Sequence, residues 1–224
     1  MTHRRYHHGD LRRALIEAAL AIIDREGVDA LTIRRLAKEV GVSHAAPAHH
    51  FADKQAIVLA VATEGFRILG DHMRKLPEIA DPKERLTALG RGYLRFAFDH
   101  PAYYRVMFGP HKTQLVLDDA EFHAVASGTF EVLTKVVAPL VYREGDSDEE
   151  RKRRIGAASI SCWTHVHGNV MLWESGMFDH PELGRTWQAF EPMVENAVHF
   201  VAENLDHFIS YPEILAVPTP PEHC

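Results

Sequence analysis

A cysteine and two histidines in the last third of the chain are the first candidates for chemistry. Cys162 precedes His165 and His167 in the run CWTHVHGN, so a thiol nucleophile with a histidine base is one interpretation. The two histidines are two residues apart and lie on different faces of a helix, so they lack the i, i+4 spacing of a zinc-binding pair. A buried small thiol and a hydrogen-bonded core histidine are therefore the favoured interpretation.

A second histidine group, His49 and His50 with Asp53 nearby, could hold a metal ion or contact a nucleic acid. The surrounding motif favours nucleic-acid contact. The chain contains no phosphate-binding glycine loop, dinucleotide fingerprint or nucleophile elbow. The sequence thus predicts neither an enzyme nor a cofactor or metal site.

The stretch that positions these histidines, residues 31–51, is predicted to form two short helices joined by a turn at Gly41. Thr32 and Ser43 can cap the helices with their side-chain oxygens, and Gly41 can take the positive φ of a sharp helix end. Such a pair packs at roughly 90–120° and places its second helix in the DNA major groove. The alternative is an ordinary corner between two helices. The apolar wedge between them is supplied by Leu36, Val40 and Val42.

The charge distribution places a basic head on an acidic body. Residues 1–54 carry nine Lys/Arg against seven Asp/Glu, whereas the whole chain of 224 residues has a net charge of −6. Arg4 and Arg5 lie in a basic N-terminal arm that could follow phosphates or enter a minor groove, or remain a solvated terminus. Two cysteines, no leader-like apolar segment and no long apolar run predict a cytoplasmic protein without a membrane span.

Helical periodicity extends along most of the chain, and no strand pattern is present, so the predicted fold class is all-α. The charged run from Glu144 to Arg154 is the best loop candidate, running directly into a helix. Beside the motif, the predicted helices are Asp10–Glu26, Lys54–Leu76, Lys83–Asp99, a short one in residues 101–110, Asp118–Tyr142, Arg154–Phe178 and Pro181–His207, the last interrupted by Pro192.

The helix Arg154–Phe178 is apolar on two faces, which indicates burial both in its own core and against a partner subunit. Together with Pro181–His207 it would supply half of a four-helix bundle that twofold symmetry completes in a homodimer. The predicted dimer contacts are Ile155, Cys162, Val166, Trp173, Val194, Val198, Val201 and Leu205.

This arrangement resembles the TetR family of bacterial transcriptional regulators. The likeness covers residues 10–60, through LTIRRLAKEVGVS and HFADKQA. The remainder is similar to the branch with a tryptophan–histidine–glycine signature, here Trp163, His167 and Gly168, and the run from Tyr93 to Gly109 also fits that branch. The resemblance implies a homodimer on a palindromic double-stranded operator, with a small-molecule pocket in the C-terminal domain.

Carried over by position, the resemblance makes residues 43–50 the recognition helix. Most relatives carry a tyrosine that contacts a phosphate where this chain has Ala48, which predicts weaker or more adaptable binding. The several histidines further predict DNA binding that depends on pH. The predicted DNA contacts, besides Arg4 and Arg5, are Thr32, Arg34, Ser43, His44, Ala45, Pro47, His49, His50 and Lys54.

The predicted organisation is a DNA-binding domain (1–54), a ligand-binding and dimerisation domain (55–210) and a flexible tail (211–224). The favoured function is a repressor released by a small hydrophobic or aromatic molecule. The alternatives are an activator without ligand, or a ligand-binding or scaffold dimer with lost DNA specificity. The residues expected to line the pocket, which a solid core would explain equally well, are Tyr93, Phe96, His100, Tyr103, Tyr104, Met107, Phe108, Trp163 and His167.

Overall fold

The computed structural model describes residues 8–109, 119–176 and 187–205. Within these ranges every regular element is helical, which confirms the all-α fold class. The predicted basic arm with Arg4 and Arg5 and the predicted tail at 211–224 lie outside the described residues. The α-helices are α1 (His8–Glu26), α2 (Ile33–Val40), α3 (Lys54–Arg74), α4 (Pro82–Asp99), α5 (Pro101–Phe108), α6 (Ala120–Val137), α7 (Asp148–Glu174) and α8 (Trp187–Glu203).

Aspartate side chains begin three of these helices. The carboxylate of Asp53 accepts the backbone N–H of Ala56 at 2.8 Å, which confirms the predicted cap of α3. Asp81 caps α4 by accepting from Glu84 at 2.9 Å, and Asp119 caps α6 in the same manner. Each bond satisfies one of the amides that a helix start leaves without an intrahelical partner.

Helix α7 begins six residues earlier than its apolar periodicity predicts. Ser147 Oγ accepts the N–H of Glu150 at 3.3 Å, and the Glu150 carboxylate accepts the N–H of Ser147 at 2.9 Å. This capping box starts the helix inside the charged run that was predicted to be a loop. The α6 segment also differs from prediction, because it tightens into a 3₁₀ turn at Ala138–Val141.

The chain forms two compact units. Among the described residues, the first comprises 8–71 together with 96–109 and 119–129, and the second comprises 72–95 together with 130–176 and 187–205. The predicted boundary between residues 54 and 55 stays a prediction. The largest fully buried side chains of the first unit are Tyr104, Phe96, Leu15, Ile22, Leu31, Leu36, Ile57, Met107, Val61 and Val106.

The second unit packs α7 against α8 and brings both to α4 at a glycine. A Cβ placed on Gly90 would lie 2.6 Å from Val198 Cγ1 of α8 and 3.5 Å from Val166 Cγ1 of α7. The absence of a side chain on Gly90 therefore permits the close approach of these helices.

The segment Ala120–Val141 is, by length and composition, the one described helix that could cross a membrane. It also contributes Phe122, Leu133, Val136 and Val137 to the buried core. A core helix of a soluble protein meets the same criteria, so this segment is weak support for a membrane span.

Candidate nucleic-acid interface and ligand site

The turn between α2 and the reading segment (residues 43–50) is built around Gly41. Gly41 has φ 75° and donates its N–H to the carbonyls of Ala37 and Lys38, while Val42 N–H donates to Ala37 O at 3.0 Å. This left-handed helix end satisfies carbonyls that α2 would leave open. The predicted Thr32 cap of α2 is confirmed, because Thr32 Oγ1 accepts from Arg35 N at 3.1 Å.

The reading segment is not the regular α-helix that the sequence predicts. It is a chain of turns that includes one 3₁₀ turn, Pro47–His49, and Ser43 contributes its carbonyl to Ala46 N instead of a side-chain cap. Pro47 is buried, so the prediction that it faces bases is wrong. A proline has no N–H and fixes φ, which suits this tight turn but gives DNA no donor. The exposed side chains of the segment are Ser43, His44, Ala45, Ala48 and His49.

Ion pairs join α1 to α2 behind this segment. Arg35 donates to both carboxylate oxygens of Glu26, and Arg25 of α1 pairs with Glu39 of α2 at 3.0 Å. The hydrogen bonds from Arg35 hold the pKa of Glu26 below its usual range, and Glu26 raises the pKa of Arg35 in return. These contacts hold α2 on α1 and neutralise the carboxylates of Glu26 and Glu39.

A groove of about 1050 Å³ opens along α2 and the turn. Its lining includes Thr32, Arg34, Lys38, Val42 and His44, which come from α2 and from the start of the reading segment. Arg34 is exposed and shows no ion-pair partner within the described ranges. A concave surface with exposed cations next to exposed histidines suits a phosphate backbone.

Lys54 lies at the first residue of α3, half-exposed. Its Nζ is 3.5 Å from the carbonyl oxygen of Asp29 and 3.9 Å from the Asp29 carboxylate. His50, the other predicted phosphate contact here, is half-buried. A phosphate would therefore have to compete with Asp29 for Lys54, and both contacts stay predictions.

The residues predicted to line one pocket divide between the two units. Phe96, Tyr104 and Met107 of the first unit are each at most 1% exposed, as expected of core side chains, and Tyr103 is also buried. His100 and Phe108 of the same unit are half-buried and stack near Phe96 and Tyr104 respectively. Burial raises the pKa of Tyr103, with Glu64 and Glu17 adding to the effect.

Tyr93, Trp163 and His167 form a polar aromatic cluster in the second unit. Tyr93 Oη lies 2.9 Å from His167 Nδ1, and Trp163 Nε1–H donates to Tyr93 Oη at 3.4 Å. The Trp163 and His167 rings are 5.2 Å apart between centroids. The Tyr93 ring is buried, whereas Trp163 and His167 are half-buried. The rings of such a group can pack against the apolar part of a bound molecule, and its hydroxyl and ring nitrogens can orient the polar atoms of that molecule.

Cys162 is unsuited to nucleophilic catalysis. Burial raises the pKa of the Cys162 thiol to about 12, so the thiolate is scarce at neutral pH. Burial lowers the pKa of His165, and its Nε2 has no hydrogen-bond partner within the part of the chain described here. No three His, Cys, Asp or Glu side chains in the described ranges are grouped to hold a metal ion.

The predicted dimer contacts lie mainly inside the chain. Cys162, Val166, Val198, Val201 and Leu205 are buried by its own helices, while Ile155 and Trp173 are half-buried. The Val194 side chain lies outside the described part of the chain. Among the described side chains of α7 and α8, the large apolar ones that are exposed are instead Ile160, Met171, Leu172 and Phe200. None of these four was among the predicted dimer contacts.

Sequence profiles of two families match the chain. The profile of bacterial regulatory proteins of the TetR family covers residues 15–61, and that of the tetracyclin repressor-like C-terminal domain covers residues 86–197. A relative is the HTH-type transcriptional regulator Rv0681 of Mycobacterium tuberculosis. It is 27% identical over 173 residues, which cover 75% of this chain and 72% of Rv0681.

Solved structures share the fold. A protein of unknown function from Rhodococcus sp. RHA1 superposes with a TM-score of 0.68 at 27% identity, covering 91% of this chain and 97% of that chain. The transcriptional regulator FadR from Bacillus subtilis in complex with stearoyl-CoA gives 0.61 at 16% identity, covering 85% and 96% respectively.

Proposed function

Because the chain belongs to the TetR family of bacterial transcriptional regulators, which are DNA-binding proteins and not enzymes, we propose that it is a homodimeric, ligand-responsive repressor. The observation that carries the proposal is the turn at Gly41, which exposes Ser43, His44 and His49 beside a cationic groove. Two such heads in a dimer would meet successive major grooves about 34–36 Å apart.

Direct reading of bases would rest on few groups. His44 and His49 can donate or accept hydrogen bonds, and Ala45 and Ala48 can contact only apolar groups such as thymine methyls. Binding should therefore depend strongly on phosphate contacts and weakly on sequence. The predicted dependence of DNA affinity on pH stays a prediction.

Selection from random duplexes tests the DNA-binding part. Purified protein should enrich a palindrome at moderate salt, and His44→Ala should lower affinity for the enriched duplex more than for an unrelated one. Steep salt dependence without enrichment would mean non-specific phosphate binding only. Affinity that stays constant between about pH 6 and 8 would rule out a role for histidine ionisation.

The homodimer would form through the exposed apolar face of α7 and α8. Ile160 is 55% exposed and Phe200 is 58% exposed, and a Cβ on Gly168 would meet no atom within 4 Å. Ile160, Gly168 and Met171 share one face of α7, since they lie eight and three residues apart. A large apolar patch of this kind indicates a partner surface, and the small residue between its members would let a partner helix approach.

Ile160→Asp and Val166→Ala separate this surface from the core. Ile160→Asp should convert the dimer to a monomer in analytical ultracentrifugation while the helical content is unchanged. Val166→Ala should lower the unfolding free energy by about 1 kcal/mol or more, because it leaves a cavity, and retain the dimer. A dimer that survives Ile160→Asp would place the interface elsewhere.

The effector would be a small apolar or aromatic molecule held near Tyr93, Trp163 and His167. FadR from Bacillus subtilis, which shares this fold, has been solved in complex with stearoyl-CoA. This complex supports an effector with a long apolar part. Its binding should lower operator affinity about 5–150-fold, and operator DNA should weaken ligand binding by the same factor. Native mass spectrometry of the purified dimer is the direct search, and release of operator DNA by the ligand identified in this way is the functional test.

A ligand-binding or scaffold dimer is the second candidate. It is favoured by the short 3₁₀ turn at Pro47–His49 and by Ala48, which together offer DNA a small polar surface. In that case the dimer and ligand binding would persist, but no duplex would be enriched. An activator would instead be recognised by higher transcription from a promoter that carries the enriched sequence.

A further inference from the structure

The acidic side chains of the head are matched by partners. Within described residues 11–54, Glu17 lies 3.6 Å from Arg13, Asp24 pairs with Arg105 at 2.7 Å, and Glu39 pairs with Arg25. Glu26 binds Arg35, Asp29 is near Lys54, and Asp53 accepts from the Ala56 amide. Each carboxylate of residues 11–54 thus has a partner within the protein.

Two cationic side chains of α2 take no part in these ion pairs. Arg34 and Lys38 are both exposed, and within the described part of the chain neither has an ion-pair partner. They are four residues apart on one helix and therefore share a face, one turn from each other. Arg12, by contrast, lies over the Phe51 ring at 5.5 Å.

Arg34 and Lys38 line the same groove as His44, the first exposed histidine of the reading segment. Glu39, the acidic side chain in that lining, is held by Arg25. The groove therefore presents two uncompensated positive charges at the edge of the reading segment. Its charge and spacing suit consecutive phosphates of one DNA strand better than a neutral ligand.

We propose that Lys38 contacts a DNA phosphate. Together with Arg34 it forms a pair of positive charges, the rail, that holds α2 on the phosphate backbone of DNA independently of base sequence. This inference rests on the proposed DNA-binding function. Lys38 adds a contact that the motif-based assignment of Thr32 and Arg34 did not include. It would bind as a point charge, so a second cation at this position should replace it.

Lys38 also lies in the last turn of α2, where a positive charge interacts favourably with the negative end of the helix dipole. The salt dependence of DNA binding separates the two roles, since only a phosphate contact changes the number of counterions released. Each phosphate contact contributes about 0.9 to the slope of log affinity against log salt. A purely structural role would leave that slope unchanged.

The test compares Lys38→Gln, Lys38→Arg and the matched variant Lys152→Gln by fluorescence anisotropy. The probes are the duplex enriched by selection and an unrelated duplex of equal length, each titrated from low to moderate salt. Lys152 is an exposed lysine of the second unit, so Lys152→Gln changes the net charge equally. Circular dichroism checks that each variant is folded.

Each head of the dimer would lose one phosphate contact, so Lys38→Gln should lower the slope by about 1.8 per dimer on both duplexes and reduce affinity for both by a similar factor. Lys38→Arg and Lys152→Gln should keep the wild-type slope. A wild-type slope in Lys38→Gln, or an equal decrease in Lys152→Gln, would overturn the rail while the proposed function stands. Wild-type protein that binds neither duplex would reject the proposed function itself, and the rail with it.

Discussion

Arg35 of α2 donates hydrogen bonds from both terminal nitrogens to the two carboxylate oxygens of Glu26, at the end of α1. A bidentate pair fixes direction as well as distance, because the planar guanidinium matches the carboxylate. The neighbouring residues continue the link, since Arg25 binds Glu39 of α2 and Asp24 binds Arg105 of α5. Three consecutive side chains of α1 therefore hold the helices on either side.

The Glu26–Arg35 pair should make the stability of the head sensitive to acid. Its hydrogen bonds lower the pKa of Glu26 from an ordinary value of 4.5, so the ionised form is favoured in the folded state. The resulting stabilisation is present above the unfolded pKa and is lost as the pH falls through the folded pKa.

Thermal unfolding of wild type and Glu26→Gln between pH 7 and pH 3 tests this link. The difference in Tm between the two proteins should be largest at neutral pH and should shrink below about pH 4.5. Glu144→Gln, on the charged loop, is a suitable control because no hydrogen bond to it is described. A constant difference across the range would show that Glu26 ionisation does not contribute to stability.

The Gly41 turn should tolerate no other residue without cost. Its φ of 75° is left-handed, where a Cβ crowds the backbone even though a Cβ would meet no other atom within 4 Å. Gly41→Ala should therefore lower the unfolding free energy by about 1–2 kcal/mol. Gly128→Ala is the matched control, since it lies in helix α6 with open space around it and should stabilise by up to about 1 kcal/mol. Chemical denaturation of both variants measures the contrast, and equal effects would contradict the strain at Gly41.

Much of the fold follows from local sequence, but the reading segment does not. Thr32, Asp53 and Gly41 act as their types predict, because each satisfies backbone groups within three or four residues. The sequence predicts a side-chain cap from Ser43 and a DNA contact from Pro47. In the structure, Ser43 accepts the Ala46 N–H with its backbone carbonyl, and Pro47 is buried in the 3₁₀ turn. Their roles depend on packing of the surrounding residues, which the pattern of caps cannot reveal.

The same limit explains the predicted dimer contacts and ligand site. Periodicity identified two apolar faces on α7 but could not tell which one faces α4 and α8 within the chain. Because Gly90 of α4 has no side chain, Val198 and Val166 can approach α4 closely, and this places the face of α7 that carries Val166 inside the chain. For the ligand site, the predicted lining combines Tyr93, Trp163 and His167, which the structure brings together, with core residues of the first unit such as Phe96. The pocket itself stays a prediction.

Gly90 should accordingly be coupled to Val198. Gly90→Ala would place a Cβ 2.6 Å from Val198 Cγ1, so overpacking should lower the unfolding free energy by about 1–3 kcal/mol. In the double variant Gly90→Ala/Val198→Ala the new methyl gains room, so the combined loss should be smaller than the sum of the single losses. A double-mutant cycle by urea unfolding measures this coupling. Additive losses would indicate that α8 shifts away from α4 without resistance.

The buried Cys162 should be inert in the folded protein. Burial raises its pKa to about 12, and only the thiolate reacts with disulfide reagents. In a Cys224→Ser variant, where Cys162 is the remaining cysteine, a chromogenic disulfide reagent at pH 8 should react slowly with folded protein. It should react rapidly with the same protein in denaturant, which serves as the internal control. The native rate should rise with the population of the unfolded state, so the destabilising Gly90→Ala change should accelerate it. Rapid labelling of folded Cys224→Ser protein at pH 8 would show instead that reagent reaches Cys162 in the native state.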